Sequence, residues 1–372
     1  MFFRSLRLMA FSAIALTLFT ANVIATPVSG YGQTNLVSDI PGRAAHTDAN
    51  LKNPWGIAFG PTTPFWVSDN GTGLASLYNG SGSPRSLVVT IPVPVGGTSA
   101  PTGQVFNGSS AFSGDVFLFA TEDGTIAGWR GALGTSAETL VDDSAGGAVY
   151  KGLALAQVAS DHYLYAADFH NGRINVIPEA GAPALTGNFT DPTLPAGYAP
   201  FNVQSIDGQL YVAFAKQQAG SDDEEAGPGN GYVSVFDFNG NFVRRFASQG
   251  SLNAPWGMAL APAGWGPLGG RLLIGNFGDG LINAFDSTGT LVGSVADLHG
   301  TNLVNDGLWG LSFGNGGPGF NPNSLYLTAG LNDESNGLFA RIDAVPEPAT
   351  IGLFSGGALL LVLLRRFRLL RS

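Results

Sequence analysis

Residues 51–61, LKNPWGIAFGP, return in slightly altered form at residues 252–262, LNAPWGMALAP. Related phrases occur between and after these two, so that the chain holds six copies of one motif: Pro54-Trp55-Gly56, Pro101-Thr102-Gly103, Tyr150-Lys151-Gly152, Pro200-Phe201-Asn202, Pro255-Trp256-Gly257 and Leu308-Trp309-Gly310. Successive copies lie 47 to 55 residues apart. A period of this size is typical of a propeller or a solenoid.

Each copy is followed by the same series of short strands. The second strand ends in a polar turn, as in FWVSDNG at 65–71, and the third alternates apolar and small residues, as at 232–236. Four copies add a fourth strand, for example FVRRFASQG at 242–250. Four antiparallel strands form one propeller blade.

The sixth copy has no fourth strand of its own, but residues 34–42 carry the pattern of an outer strand. If this segment pairs with the last blade, the ring closes without leaving a long bare sheet edge. The sequence therefore predicts an all-β protein, a six-bladed β-propeller of four-stranded blades over residues 31–343. A two-domain or β-sandwich arrangement is the alternative.

Both ends of the chain have the composition of targeting segments. Arg4 and Arg7 precede an apolar run at 8–19, which predicts a signal peptide at 1–25. Near the other end, Pro346-Glu347-Pro348 leads into an apolar stretch at 351–364, and a basic end begins with Arg365 and Arg366. The apolar stretch is short for a transmembrane helix, which needs about 20 residues.

This C-terminal order of parts, at 345–372, resembles the PEP-CTERM sorting signal of Gram-negative bacteria. The resemblance implies brief membrane insertion, processing by an exosortase, and a mature protein at the cell surface or outside the cell. An ordinary C-terminal membrane anchor is the alternative.

The body also resembles a family of uncharacterised secreted bacterial proteins over nearly its whole length. The motifs that carry this resemblance are NPWG at 53–56, YAADFHNG at 165–172, LPAGYAPFN at 194–202 and GNFGDG at 275–280. It implies a propeller related to the NHL-repeat type and brings no activity with it.

Composition narrows the classes of partner. The chain has no cysteine, which excludes a disulfide scaffold, zinc–thiolate sites and a thiol nucleophile. Without the two end segments, 11 basic and 26 acidic residues remain, a formal charge of about −15. Nucleic acid is disfavoured as a partner because its binding needs a basic face. Divalent cations and neutral sugars fit such a body better, although acidity also simply favours solubility.

Strand reversal within a blade brings the motif and the turn between the second and third strands to one face, around one mouth of the central channel. Ligand-binding candidates there are the motif tryptophans and the departures from the repeat: Trp55, Trp256, Trp309, Lys151, Asn202 and His170. Oxygen ligands for Ca²⁺, the candidate cofactor, are Asp306, Asn202, Asn253 and Asp48. The structural alternative is that Pro-Trp-Gly wedges neighbouring blades together and that the turn residues bond the local backbone. The run at 221–231 is acidic enough to recruit Ca²⁺, but it lacks the spaced oxygen pattern of an EF-hand loop, so a solvated, mobile loop is expected.

Two functions follow from these features. The first is a non-catalytic envelope or matrix protein that binds exopolysaccharide or protein partners. The second is a Ca²⁺-dependent hydrolase resembling the gluconolactonase-like propellers, in which the metal polarises a lactone carbonyl. The absence of a compact catalytic motif favours the first.

Overall fold

The computed structural model describes residues 28–317 and 319–346. The predicted signal peptide, Glu347, Pro348, Arg365 and Arg366 lie outside the described residues. Within them the helical segments are 3-10 turns of three residues each, and none has the length or apolarity of a membrane span.

The described chain is built almost wholly of strands. In chain order they are β1 (Val28–Ser38), β2 (His46–Thr47), β3 (Pro54–Ala58), β4 (Phe65–Asp69), β5 (Leu74–Tyr78), β6 (Pro84–Thr90), β7 (Pro101–Phe106), β8 (Phe117–Thr121), β9 (Thr125–Trp129), β10 (Glu138–Asp142), β11 (Tyr150–Val158), β12 (Asp161–Asp168), β13 (Arg173–Pro178), β14 (Tyr198–Ile206), β15 (Gln209–Lys216), β16 (Gly231–Phe236), β17 (Phe242–Ser248), β18 (Pro255–Leu260), β19 (Leu272–Asn276), β20 (Ile282–Phe285), β21 (Leu291–Ser294), β22 (Leu308–Phe313), β23 (Ser324–Leu331) and β24 (Asn336–Pro346). The 3-10 turns are Asn70–Thr72, Phe112–Gly114, Gly131–Leu133, Ser144–Gly146 and Gly266–Leu268.

Six sheets divide these strands into blades, which confirms the predicted six-bladed β-propeller. Blades one, two, four and five are antiparallel sheets of four consecutive strands, β3–β6, β7–β10, β14–β17 and β18–β21. Blade three pairs only β11, β12 and β13. After it, residues 179–197 run as a loop that bonds the backbone of Asn239 and Gly240 in blade four.

The N-terminal strand closes the ring in blade six, as predicted. Its order is β22–β23–β24–β1, with the two-residue β2 added in parallel. The closing strand starts and ends earlier than the predicted segment 34–42. It ends at Ser38 because the carboxylate of Asp39 accepts hydrogen bonds from the backbone of Gly337 and the amide of Asn336, and Gly42 has a φ of 76°, which turns the chain away.

Every copy of the repeated motif lies at the start of an inner strand, at a break in the register. The shifts fall at Pro54/Ile57, Pro101/Gln104, Tyr150/Gly152, Pro200/Asn202, Pro255/Met258 and Leu308/Leu311. An extra residue at such a bulge turns its side chain out of the normal alternation. The residue before each motif glycine is redirected in this way at the channel mouth.

The motif glycines form the joints between blades. A Cβ on Gly56 would collide with the Thr102 carbonyl of blade two, and one on Gly310 would collide with the Trp55 carbonyl of blade one. Blade four lacks the glycine, and there the Asn202 amide spans the joint by donating to the Trp256 carbonyl at 2.8 Å. The structural role assigned to the repeat therefore holds at the joints of the ring.

The core lies between the blades. Trp66 of blade one stacks on Phe117 of blade two with centroids 4.2 Å apart, and Phe65 packs against Tyr326 of blade six at 4.4 Å. Rings are well suited to this layer because they bury a large area and prefer offset or edge contacts.

Candidate functional site

Three tryptophans converge in the centre of the ring at the motif end of the channel. Trp55 and Trp309 stack with centroids 3.5 Å apart, and Trp256 meets both edge-on at 6.0 and 5.7 Å. All three are at most 4% exposed. The Trp309 indole N–H donates to Asn53 Oδ1 at 3.0 Å, and that of Trp256 donates to the Lys151 carbonyl at 2.9 Å.

This arrangement corrects the picture of tryptophans offering their faces to a sugar at an open rim. The faces are covered by one another and by Phe201 and Phe277 of blades four and five. The physical reason is geometric: three large side chains, each at a register shift at the start of an inner strand, meet at the centre of the ring. They close the channel at this end, and their role in ligand binding stays a prediction.

Lys151 occupies the tryptophan position in blade three and is buried beside these rings. Its side chain is 2% exposed, and its ammonium lies 5.4 Å from the centroids of Trp55 and Phe169 and 5.7 Å from that of Phe201. Ring faces attract a cation, more strongly when both are desolvated. The aromatic layer thus forms one half of the ammonium's surroundings.

Carboxylates form the other half. The Lys151 Nζ lies 3.2 Å from Glu122 Oε1, 3.7 Å from Glu224 Oε2 and 3.8 Å from Asp223 Oδ1. Burial alone lowers the pKa of Lys151, but the charges of Glu122 and Glu224 outweigh it, and the pKa is raised. Lys151 is therefore held as a cation.

A further carboxyl, Glu334, lies at the same mouth in the turn between β23 and β24. Burial, followed by repulsion from Glu224, raises its pKa to about 7. Its Oε1 atom is buried without a hydrogen-bond partner. Burial likewise raises the pKa of Glu224, although the Lys151 charge opposes this. We call Glu122, Lys151, Asp223, Glu224 and Glu334 the mouth cluster.

Hydrogen bonds join the mouth cluster to the tryptophans. Asn53 accepts from Trp309 and donates to Asn70 Oδ1 at 3.3 Å, and Asn70 donates to Glu122 Oε2 at 2.9 Å. Glu122 then contacts Lys151. These contacts link blades six, one, two and three, so the mouth cluster connects neighbouring blades around the opening of the channel.

The acidic run at 221–231 is a loop beside the channel mouth whose Asp222, Asp223 and Glu225 are exposed, as expected of a solvated loop, whereas Glu224 is turned inward toward Lys151. Glu224 has a side chain only 8% exposed. On either side of Lys151's contacts, Asp222 bonds His170 at 2.5 Å and Glu225 pairs with Lys216 at 2.7 Å. The buried ammonium of Lys151 attracts the carboxylates of Asp223 and Glu224. The composition of the loop alone does not reveal this attraction.

The predicted oxygen ligands for Ca²⁺ are engaged elsewhere. Asn202 Oδ1 accepts from the backbone of Val203, and Asp48 Oδ2 accepts from the Tyr78 phenol. Asn253 bonds the backbone of Gly227 and the Asp279 carboxylate, while Asp306 is exposed. In residues 28–317 and 319–346 no three His, Cys, Asp or Glu side chains are grouped to hold a metal ion. These residues do not fit a Ca²⁺ centre of the expected kind.

His170, the remaining candidate, lies away from the channel axis. It is half-exposed, in the turn between β12 and β13, and Asp222 is its polar side-chain partner. Sequence reasoning missed Glu334 and did not connect Glu224 to Lys151. The one available signal was the replacement of the motif tryptophan by lysine, because a buried lysine requires a carboxylate nearby.

Fold and mouth together define the class: a six-bladed β-propeller of the NHL-like type whose channel is closed at one end. No protein-family model matches the chain. Two uncharacterised proteins of Acanthamoeba polyphaga mimivirus are each 35% identical to it. One is matched over 326 residues, 82% of this chain and 78% of the viral protein, and the other over 328 residues, 82% and 84%. The chain belongs to the family of these viral proteins.

Solved structures share the fold. A streptogramin B lyase superposes with a TM-score of 0.50 at 11% identity, over 86% of this chain and 100% of the lyase. A protein of unknown function from Bacteroides thetaiotaomicron gives 0.51 at 13% identity, over 84% and 76%. At such identities the likeness concerns the fold alone.

Proposed function

We propose that the protein is an exported, non-catalytic binding scaffold of the cell envelope or extracellular matrix, whose partners are exopolysaccharide or matrix proteins. The observation that carries this proposal is the closed channel mouth. The side chains of Asn53 and Asn202 make hydrogen bonds that link neighbouring blades, and the centre of the mouth is filled by Trp55, Trp256 and Trp309.

The hydrolase alternative has weaker support. It needs several oxygen ligands that converge on one metal with a position left open for substrate. Asn202 and Asp48 instead hold backbone and phenol groups in different blades.

Export and sorting rest on the two end segments. The leader supports secretion, and the Pro-Glu-Pro segment with its basic end supports processing by an exosortase. The propeller family includes viral proteins, so membership of it does not by itself imply a bacterial sorting system.

Binding is tested with the purified protein on a glycan array and on matrix fractions from the producing cell, alongside a lactone-hydrolysis assay with and without Ca²⁺. Saturable retention of a matrix polysaccharide or protein without lactone turnover is expected. Turnover of a lactone, together with no retention of matrix material, would contradict the proposal.

Sorting is tested separately in the producing cell. Replacing Pro346, Glu347 and Pro348 by alanine should leave the unprocessed precursor in the membrane fraction, as read by mass spectrometry of the C-terminal peptide. Thr350→Ala, outside the motif, serves as the control. Normal processing of the triple variant would rule out sorting through this motif.

A further inference from the structure

The two faces of the ring differ in charge. The mouth face is formed by the turns between second and third strands and by the connections between blades, which together carry 14 acidic and 2 basic residues. The turns between first and second strands and between third and fourth strands form the opposite face, which we call the basal face, and they carry 4 acidic and 2 basic residues. Residues 179–197 cross between the faces and belong to neither. The mouth face therefore holds most of the negative charge of the turns, a formal −12 against −2.

Both ends of the described chain lie at the basal face, in blade six. The first residue of β1, Val28, pairs with Pro346, at the end of β24. Near this end Tyr31 stacks on Trp265, in the basal turn between β18 and β19, with centroids 4.3 Å apart, and its hydroxyl donates to the Trp265 carbonyl at 2.9 Å. Four residues then separate Pro346 from the apolar stretch at 351–364. An extended chain spans at most about 3.6 Å per residue, so a bilayer that takes up this stretch lies within about 18 Å of the end of β24.

Blades four and five expose apolar side chains at strand ends beside the basal turns. Four of them are 40–47% exposed: Val243, Leu260, Leu291 and Val292. Leu260 also lines a groove of about 470 Å³ between the two blades, together with Tyr211 and Arg244. The Arg244 guanidinium lies 5.0 Å over the Phe246 ring and donates to the Ser287 carbonyl at 3.1 Å. Apolar side chains beside an arginine and a tyrosine suit the boundary between lipid head groups and acyl chains.

We propose that the basal face rests on a lipid bilayer while the stretch at 351–364 is inserted in it, with the mouth turned away from the membrane. The short connection at 347–350 holds this face close to the lipid, where the exposed apolar side chains of blades four and five reach the head-group layer. Anionic lipids repel negative charge within about one Debye length, about 8 Å at physiological salt, so they oppose the approach of the mouth face far more than that of the basal face. The inference rests on the proposed envelope location, and it implies that matrix partners meet the mouth face.

Orientation is tested with single-cysteine labels, since the chain has no cysteine. Ser287→Cys carries a fluorescent label in the basal turn between β20 and β21, and Ser335→Cys carries one in the mouth turn between β23 and β24; both serines are exposed. The six residues of β22 separate the two faces by about 20 Å. The full chain is reconstituted into vesicles of phosphatidylcholine and phosphatidylglycerol, with and without a lipid that bears a nitroxide on its head group. The nitroxide should quench the label at position 287 and leave the label at position 335 unquenched.

Paired variants show whether the apolar side chains hold the basal face on the lipid. Adding Leu291→Asp and Val292→Asp to the Ser287→Cys protein should restore most of the quenched fluorescence. Adding Val95→Asp, which changes a side chain 83% exposed in the mouth-face connection between β6 and β7, should leave the quenching as it was. If the double variant fails to fold, the comparison of the labels at 287 and 335 still decides. A label at 287 that is shielded from aqueous iodide but not quenched by the nitroxide would indicate a protein partner on this face and would overturn the lipid assignment.

Equal quenching at the two positions, or stronger quenching at 335, overturns the inference, as does strong quenching that persists in the protein with Leu291→Asp and Val292→Asp. Flotation of the unlabelled full chain with the vesicles separates this failure from that of the proposed function. A chain that floats but shows no difference between the labels refutes the basal docking alone. A chain that does not float refutes the docking together with the membrane step of the proposed sorting.

Discussion

Replacing Glu334 by glutamine tests whether the mouth cluster holds a carboxyl that resists ionisation. Its pKa rises from 4.5 to about 7 in the folded protein. Each pKa unit corresponds to about 1.4 kcal/mol, so ionising Glu334 costs the folded state about 3 kcal/mol more than the unfolded chain.

How the stability changes with pH depends on whether the folded or the unfolded state keeps the proton of Glu334. Below pH 4.5 the carboxyl is protonated in both states, and the wild type and Glu334→Gln should be equally stable. As pH rises from 4.5 to 7, the unfolded chain ionises first, so the wild type loses stability. Above pH 7 the glutamine variant should be more stable by about 3 kcal/mol.

The measurement is urea unfolding of both proteins from pH 4 to pH 8, compared at each pH. The control is Glu225→Gln, which removes an exposed carboxylate paired with Lys216 and should change stability by at most about 1 kcal/mol. A difference between wild type and Glu334→Gln that does not grow with pH would refute the assigned burial of Glu334.

Three further substitutions probe the mouth and the joints by urea unfolding. Lys151→Met should cost about 3–5 kcal/mol at pH 7, because it leaves the buried Glu224 carboxylate without its cation, and less in acid, where Glu224 is protonated. Gly310→Ala should cost about 1–3 kcal/mol because the added methyl group collides with the next inner strand. The control, Gly293→Ala, faces open space and should change stability by less than about 0.5 kcal/mol. Equal unfolding midpoints for the two variants would contradict the close contact between blades at Gly310. Trp256→Phe should cost about 1–3 kcal/mol, since it leaves a buried carbonyl unpaired, and an unchanged midpoint would count against that bond.

The blades were predictable because their signals are local. Strand alternation, turn residues and the spacing of the motif all act over fewer than about 60 residues. The closing strand was placed only approximately. Its first part, residues 28–33, contains two glycines and no clear alternation, and pairing with β24 alone makes it a strand.

The mouth cluster was not predictable in the same way. Glu224 and Glu334 belong to blades four and six, and the repeat places their turns on one face without showing which side chains point inward. The inward direction of Trp55 depends on a bulge that only the paired register reveals. The high pKa of Glu334 arises first from burial and then from repulsion by Glu224, which lies more than 100 residues earlier in the chain.

The pairing of β1 with β24 has a consequence for when the fold can form. Partners such as Val37 and Phe339 are about 300 residues apart in sequence, and contacts of such separation slow folding because a long loop must close first. During synthesis β1 is made long before its partner β24, which contains the last described residues of the chain. The nascent propeller therefore remains an open arc until residues 336–346 emerge, and a chain cut short before them leaves its first strand without a sheet to join.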